Sequence, residues 1–337
     1  MAFFDEAQEK LRQSWGEATR AVSDTAMEQL RFVREFARLC TEGSALGWHE
    51  CNGGNLSYRL TPENVESARR FFEKDPGEWV PLGVTVPLLG GAYFLVTGAG
   101  KYLSRVADDP KSTCGIVEID PTGAAYRVVW GLSDGARPTS ELPSHLLMCA
   151  ARMQATRDEH VAGQGGNAWG LGVDAADAAS MQAAAAPTAN ADGSCRVLYH
   201  AHPVSILAAT ALLPQESQAF TQALWGTFPE GATMFPEGVG VVPWMTPGGS
   251  EIAQATAELM QHYAAVVWAN HGLFVAAATF DEAFGTACAI DKAANVYLQA
   301  RAANGGSDAF PNQVSKKALL ALAQAADVAD TLPRWMH

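Results

Sequence analysis

The sequence predicts an α/β chain whose sheet is at least partly antiparallel, and three observations carry that expectation. Cys114-Gly115-Ile116-Val117-Glu118-Ile119-Asp120 and Ala125-Tyr126-Arg127-Val128-Val129-Trp130 flank Pro121-Thr122-Gly123, which reads as a β-hairpin. Ala92-Tyr93-Phe94-Leu95-Val96 and Val197-Leu198-Tyr199-His200-Ala201-His202 are strand-length runs rich in β-branched and aromatic residues. Apolar stripes at helical spacing, such as Met27, Leu30, Val33, Ala37 and Cys40, alternate with these strands along the chain.

The elements follow in order. Phe4, Ala7, Leu11, Trp15 and Ala18 recur among charged residues, so an amphipathic helix forms an N-terminal extension over about residues 1–25. The Met27 helix ends near Gly43 to Gly47, and Asn52-Gly53-Gly54-Asn55 then turns into a strand reaching Leu60. A polar, charge-rich stretch leads to the strand at Ala92, which runs into Thr97-Gly98-Ala99-Gly100-Lys101. Pro138-Thr139-Ser140-Glu141-Leu142-Pro143-Ser144-His145 opens a helix: Thr139 or Ser140 can cap it, and proline is tolerated in its first turn. From about 158 to 194 glycine and alanine replace large apolar residues, which reads as a surface insertion in one domain spanning 1–337. Helices are expected over Ser205 to Leu213 and Phe220 to Trp225, with turns and short strands from Pro229 to Pro243. Ser250 caps a helix to about Gln261, Thr279 to Glu282 forms a capping box, and a last helix starts at Ser315.

Composition narrows the function. The 337 residues are 48% hydrophobic and 18% charged, with a net charge of −13, which opposes nucleic acid or an anionic membrane as partner. Six cysteines at 40, 51, 114, 149, 195 and 288 show no C-x-x-C spacing and read as reduced cytoplasmic thiols. The first residues lack the order of a secretory signal, and the longest apolar stretch, around 264 to 278, is broken by Asn270-His271-Gly272.

The residues capable of chemistry are few. Alternate side chains of a strand share a face, so His200 and His202 offer a metal bite that Pro203 closes, with His271 as a third imidazole. Three imidazoles and an open fourth position describe a catalytic zinc site. Buried histidines hydrogen-bonded inside a sheet would show the same spacing. Glu141 projects from a helix N-terminus, where a carboxylate can act on protons or merely complement the helix dipole. The two glycine turns can bring backbone N–H groups to an anion, or serve only as turns. The second is no Walker loop, because Leu95 stands in place of its first glycine and Tyr102 follows the lysine. His145 reads as a pairing or packing histidine.

Asn52-Gly53-Gly54-Asn55, Thr97 to Lys101, Pro138 to His145, His200-Ala201-His202 and Asn270-His271-Gly272 occur in the order seen in class II aldolases of the aldolase/adducin family. The chain resembles that family over roughly 27 to 157 and 195 to 320. The resemblance implies a three-layer α/β/α fold with a mixed, largely antiparallel central sheet, assembled as a cyclic homotetramer with sites between subunits. It implies one zinc ion per subunit on His200, His202 and His271, with Glu141 as the acid/base. Asn55, Gly98, Ala99, Gly100, Thr139 and Ser140, with Gly54 beside them, would receive a phosphate, and Asn52 would orient Glu141 or the substrate. Glu230 falls where a relative supplies a carboxylate to the adjacent subunit's site. Ala99 departs from the family pattern, which has a serine there, and one lost donor is worth about 0.5–1.5 kcal/mol. The activity implied is reversible, zinc-dependent cleavage of a sugar phosphate, L-rhamnulose 1-phosphate, to dihydroxyacetone phosphate and L-lactaldehyde. A zinc epimerase or dehydratase of the same fold would use the same histidines, whereas a non-catalytic adducin-like module would lack the ligands and the acid.

Overall fold

A computed structural model of the chain describes residues 26–165 and 195–337. The expected N-terminal helix and most of the insertion lie outside the described residues. Nine strands form one sheet: β1 (Asn55–Arg59), β2 (Val80–Pro81), β3 (Tyr93–Thr97), β4 (Cys114–Ile119), β5 (Ala125–Gly131), β6 (Val197–Ala201), β7 (Gly240–Val242), β8 (Ala265–Trp268) and β9 (Gly272–Ala277). Their order is β2-β5-β4-β3-β1-β6-β9-β8-β7, and every neighbouring pair is antiparallel except β7 with β8. The sheet is therefore mixed and largely antiparallel.

The period of two in the strands builds the three layers. Val197, Tyr199 and Ala201 of β6 face one way, joining a core with Phe36 of α1 (Arg31–Ala45) and Ile290 of a long C-terminal helix. Leu198 faces the other way, into a second core with Leu146 and Met153 of α4 (Leu142–Gly165). Two short helices, α2 (Pro62–Ala68) and α3 (Pro110–Thr113), fall between α1 and α4. Helices α5 (Val204–Leu212), α6 (Ser217–Thr227), α7 (Gly231–Met234), α8 (Ser250–Met260), α9 (Phe280–Ala303) and α10 (Lys316–Ala325) complete the described chain. Burial of the large side chains of these two cores, at about 1.5–3 kcal/mol per side chain, is the main favourable contribution to folding.

Several elements differ from the sequence reading. Helix α4 continues to Gly165, past the residue at which the insertion is expected to begin. The charge-rich stretch after Leu60 contains α2, closed by a capping box in which Thr61 accepts from the Asn64 N–H with Pro62 at the first position. Gly249, not Ser250, is the N-cap of α8, and no side chain caps it. At α9, Thr279 accepts from the Glu282 N–H as expected, but the Glu282 carboxylate returns to the Ala278 N–H rather than to that of Thr279. The last strand of the histidine pair ends at Ala201, which leaves His202 just outside the ladder.

Candidate active site

Three strands and one helix start converge on the centre of the sheet. Strand β6 pairs with β1 on one side, Asn55 opposite His200, and with β9 on the other, His200 opposite Phe274. His200 thus emerges beside both the glycine turn before β1 and the β8–β9 turn that carries His271. That turn is tight: the His271 N–H donates to the Trp268 carbonyl at 3.0 Å, and Asn270 adopts a φ of 58°, which asparagine tolerates better than most residues. His202 is fixed past the strand end by donation from its N–H to the Trp48 carbonyl at 3.0 Å.

The three imidazoles meet through one nitrogen each. His200 Nε2 lies 3.1 Å from His271 Nε2 and 3.1 Å from His202 Nε2. A metal held by tetrahedral nitrogens at about 2.0–2.1 Å would set neighbours roughly 3.4 Å apart, close to the two spacings at His200, and all three ligand atoms lie within 4.8 Å of one another. Tautomers agree with that use. His200 Nδ1 faces the Leu273 carbonyl at 3.0 Å, an acceptor only, so Nδ1 carries the proton and Nε2 keeps its lone pair. His202 Nδ1 is 2.6 Å from Glu50 Oε1, which orients that ring the same way. Burial pushes the His200 imidazole well below its ordinary pKa and takes His271 down to about 4, with neighbouring His202 adding to both shifts. Neutral rings are the form that binds metal. The residues present therefore fit a catalytic three-histidine centre.

Glycine at 272 makes the convergence possible. A Cβ there would stand 2.7 Å from the Ala201 carbonyl oxygen, 2.7 Å from His202 Cδ2 and 2.8 Å from His200 Cε1. Glu50 was not assigned from sequence, although it lies two residues from Asn52, because its partner His202 comes near only through the β1–β6 pairing. Glu50→Ala is expected to weaken metal binding by about 10–100-fold, as loss of such an outer partner does. Metal titration of the variant checks this, and an unchanged affinity would remove Glu50 from the centre.

Glu141 sits at the start of α4, buried, with Oε2 3.7 Å from His200 Nε2. Its partner is Asn55, whose Nδ2 donates to Oε2 at 2.7 Å. Asn55 is expected at the phosphate and Asn52 beside Glu141 or the substrate; the structure gives the Glu141 contact to Asn55 and places Asn52 on the cavity wall. Burial raises the Glu141 pKa, and the Asn55 amide opposes the rise. The main-chain pairing of Thr97 to Ala99 with Arg137 to Thr139 sets the second glycine turn against this helix start: Thr139 N donates to the Thr97 carbonyl at 2.8 Å and Ala99 N to Arg137 at 2.8 Å. Thr139 Oγ1 accepts from the Glu141 N–H at 3.3 Å. His145, one turn along α4, bonds Ser57 Oγ at 2.7 Å and is a pairing histidine, as read.

One cavity of about 230 Å³ unites these parts. Asn52, Gly54, Asn55, Gly98, Ala99, Gly100, Thr139, Ser140, Glu141 and the three histidines all line it. Glu230 does not: it is exposed at the start of α7. A larger cavity of about 710 Å³ beside α8 and the C-terminal segment has no metal-binding cluster, and its Arg152 is already paired with Glu237 at 2.8 Å. Among the described residues no helix is long and apolar enough to cross a membrane, and all six cysteines are free.

Comparison with known proteins bears on this site. Residues 188–298 match the profile described as Class II Aldolase and Adducin N-terminal domain. Rhamnulose-1-phosphate aldolase of Escherichia coli O1:K1 / APEC is 34% identical over 293 residues, covering 87% of this chain and 92% of that protein. The sugar-phosphate aldolase of Thermotoga maritima superimposes with a TM-score of 0.58 at 22% identity, covering 82% of this chain and 97% of its own. The YgbL protein of Klebsiella pneumoniae gives 0.54 at 16% identity, covering 88% and 99%. These two likenesses establish the fold.

Proposed function

The chain belongs to the class II aldolase family, and from that premise we propose that it is a zinc-dependent aldolase that reversibly cleaves L-rhamnulose 1-phosphate to dihydroxyacetone phosphate and L-lactaldehyde. The observation that carries the proposal is the meeting of three Nε2 atoms and Glu141 Oε2 in one cavity that two glycine turns also line. His200, His202 and His271 would hold the metal. Bound there, a divalent cation supplies Lewis-acid stabilisation of the negative charge that develops on the keto oxygen.

The chain's own groups account for the rest. In the two glycine turns the N–H groups of Gly53, Gly98, Ala99 and Lys101 donate to carbonyls of the chain, so those of Gly54 and Gly100, with the hydroxyls of Thr139 and Ser140, receive the phosphate and so fix the sugar away from its reacting carbons. In cleavage the C3–C4 bond breaks, the C4 hydroxyl passes its proton to solvent water as the aldehyde forms, and the bond's electron pair passes to C3 and the C2 oxygen. Glu141 delivers a proton to C3. In condensation the same carboxylate removes it. A carboxyl whose burial raises its pKa, held in place by Asn55, suits a group that must carry a proton for part of the cycle. Glu230, exposed and away from this cavity, is assigned to the site of an adjacent copy in a homotetramer.

The test is an assay of zinc-loaded protein with L-rhamnulose 1-phosphate, coupled to detection of dihydroxyacetone phosphate, with L-fuculose 1-phosphate alongside. Activity is expected to vanish on chelation and return with zinc. Equal or faster turnover of the fuculose ester would overturn the substrate, and no carbon–carbon cleavage of either would move the reading to an epimerase or dehydratase.

A further inference from the structure

Behind the first glycine turn lies a contact that the catalytic reading does not use. His49 Nδ1 is 3.1 Å from the Gly53 carbonyl and its Nε2 is 2.9 Å from Tyr199 Oη. The carbonyl can only accept, so Nδ1 bears the proton and Nε2 accepts from the tyrosine hydroxyl. Both side chains are buried, and burial takes the imidazole down to about 4, which keeps it neutral. The surroundings are cut to admit them. A Cβ on Gly43 of α1 would collide with Tyr199 Oη and lie 2.6 Å from His49 Nε2, and one on Gly54 would collide with His49 Nδ1. Tyr199 is the neighbour of the ligand His200 in β6, its ring turned to the opposite face of the sheet.

We propose that Tyr199 and His49 form a buried strut that positions the 52–55 turn, and through Asn55 holds Glu141 at the angle the reaction needs. The strut runs from β6, through His49, to the Gly53 carbonyl, so the middle of the turn is tied to the strand that carries His200, between the Trp48 carbonyl and the ladder that begins at Asn55. Tyr199 and His49 touch neither the three ligands' coordinating nitrogens nor Glu141; they are positioning residues. The inference rests on the aldolase reading for its link to chemistry, but the strut itself can be tested without it.

Two amide replacements separate the ends of the imidazole. Asparagine places its Nδ2 where His49 Nδ1 stands and keeps a donor for Gly53; glutamine reaches the Nε2 position and keeps only the Tyr199 end. Hydrogen exchange of the amides at 52–56 is expected to quicken at least tenfold in His49→Gln and to stay within threefold of wild type in His49→Asn. In the L-rhamnulose 1-phosphate assay His49→Gln should lose about tenfold or more in kcat with zinc content unchanged, while His49→Asn retains most of the activity. Equal exchange in the two variants would overturn the strut, because a packing role makes the smaller asparagine the worse substitute. Fast exchange in His49→Gln with normal kcat would overturn the link to Glu141. If wild type shows no cleavage, the aldolase reading fails while the exchange comparison still decides the strut. Should His49→Gln not fold, Tyr199→Phe serves instead: it leaves His49 Nε2 without its donor, so exchange of the amides at 52–56 is expected to quicken at least threefold with zinc content unchanged, and unchanged exchange would overturn the strut.

Discussion

Glu141→Gln is expected to bind metal as the wild type does and to lose about 10²–10⁴-fold in kcat, the range that removal of a positioned proton-transfer group produces. The substitution keeps the side-chain length and an oxygen that can still accept from Asn55 Nδ2, now 2.7 Å from Oε2. What it removes is the proton. Because Oε2 stands 3.7 Å from His200 Nε2 and is not one of the three imidazole nitrogens, the ligand set survives intact. Turnover by coupled assay and metal content by elemental analysis, read on one preparation, decide the matter. A kcat within a few-fold of wild type would reduce Glu141 to a buried residue that closes the start of α4.

His200→Ala is expected to lower metal affinity by more than about 100-fold and to bring cleavage to background, since it deletes one of three ligands, the one whose Nε2 lies 3.1 Å from both others. The ring also stacks on Phe274 at 3.9 Å between centroids, so its loss leaves a void costing on the order of 2–4 kcal/mol. His271→Ala separates the two effects. Its ring is less buried, so it should lose metal similarly with a smaller fall in the metal-free melting temperature. Retention of full metal occupancy by either variant would overturn the centre.

Much of this site was legible because the chemistry lies in short motifs whose local geometry is set by neighbours in sequence. His200 and His202 sit two apart on a strand and its exit, and Pro138 to His145 announces a helix start with Glu141 at its tip. Expectations failed where the third dimension assigns partners. That Asn55, not Asn52, bonds Glu141 depends on how β1 enters the sheet, and that Glu50 reaches His202 depends on the β1–β6 pairing across about 145 residues of chain. Helix α2 was missed although Thr61-Pro62 marks its cap, since seven residues with little apolar periodicity give a weak signal against the charge around them. The continuation of α4 to Gly165 was not legible, because the glycine- and alanine-rich composition that marks the insertion from about 158 gives no apolar stripe to follow.

The two outermost strands bear on how copies of the chain can meet. β2 is two residues long and contains Pro81, and β7 is three residues long and is followed by Pro243. Among the described residues neither has a second neighbour. Proline presents no N–H to a ladder, and two or three residues offer too few pairs to recruit a foreign strand. Among the described residues neither edge offers a ladder long enough to prolong the sheet into a second molecule, so the runaway edge-to-edge stacking that threatens a sheet of this width has no rung to start from, and any contact between copies falls to side-chain surfaces of helices and loops.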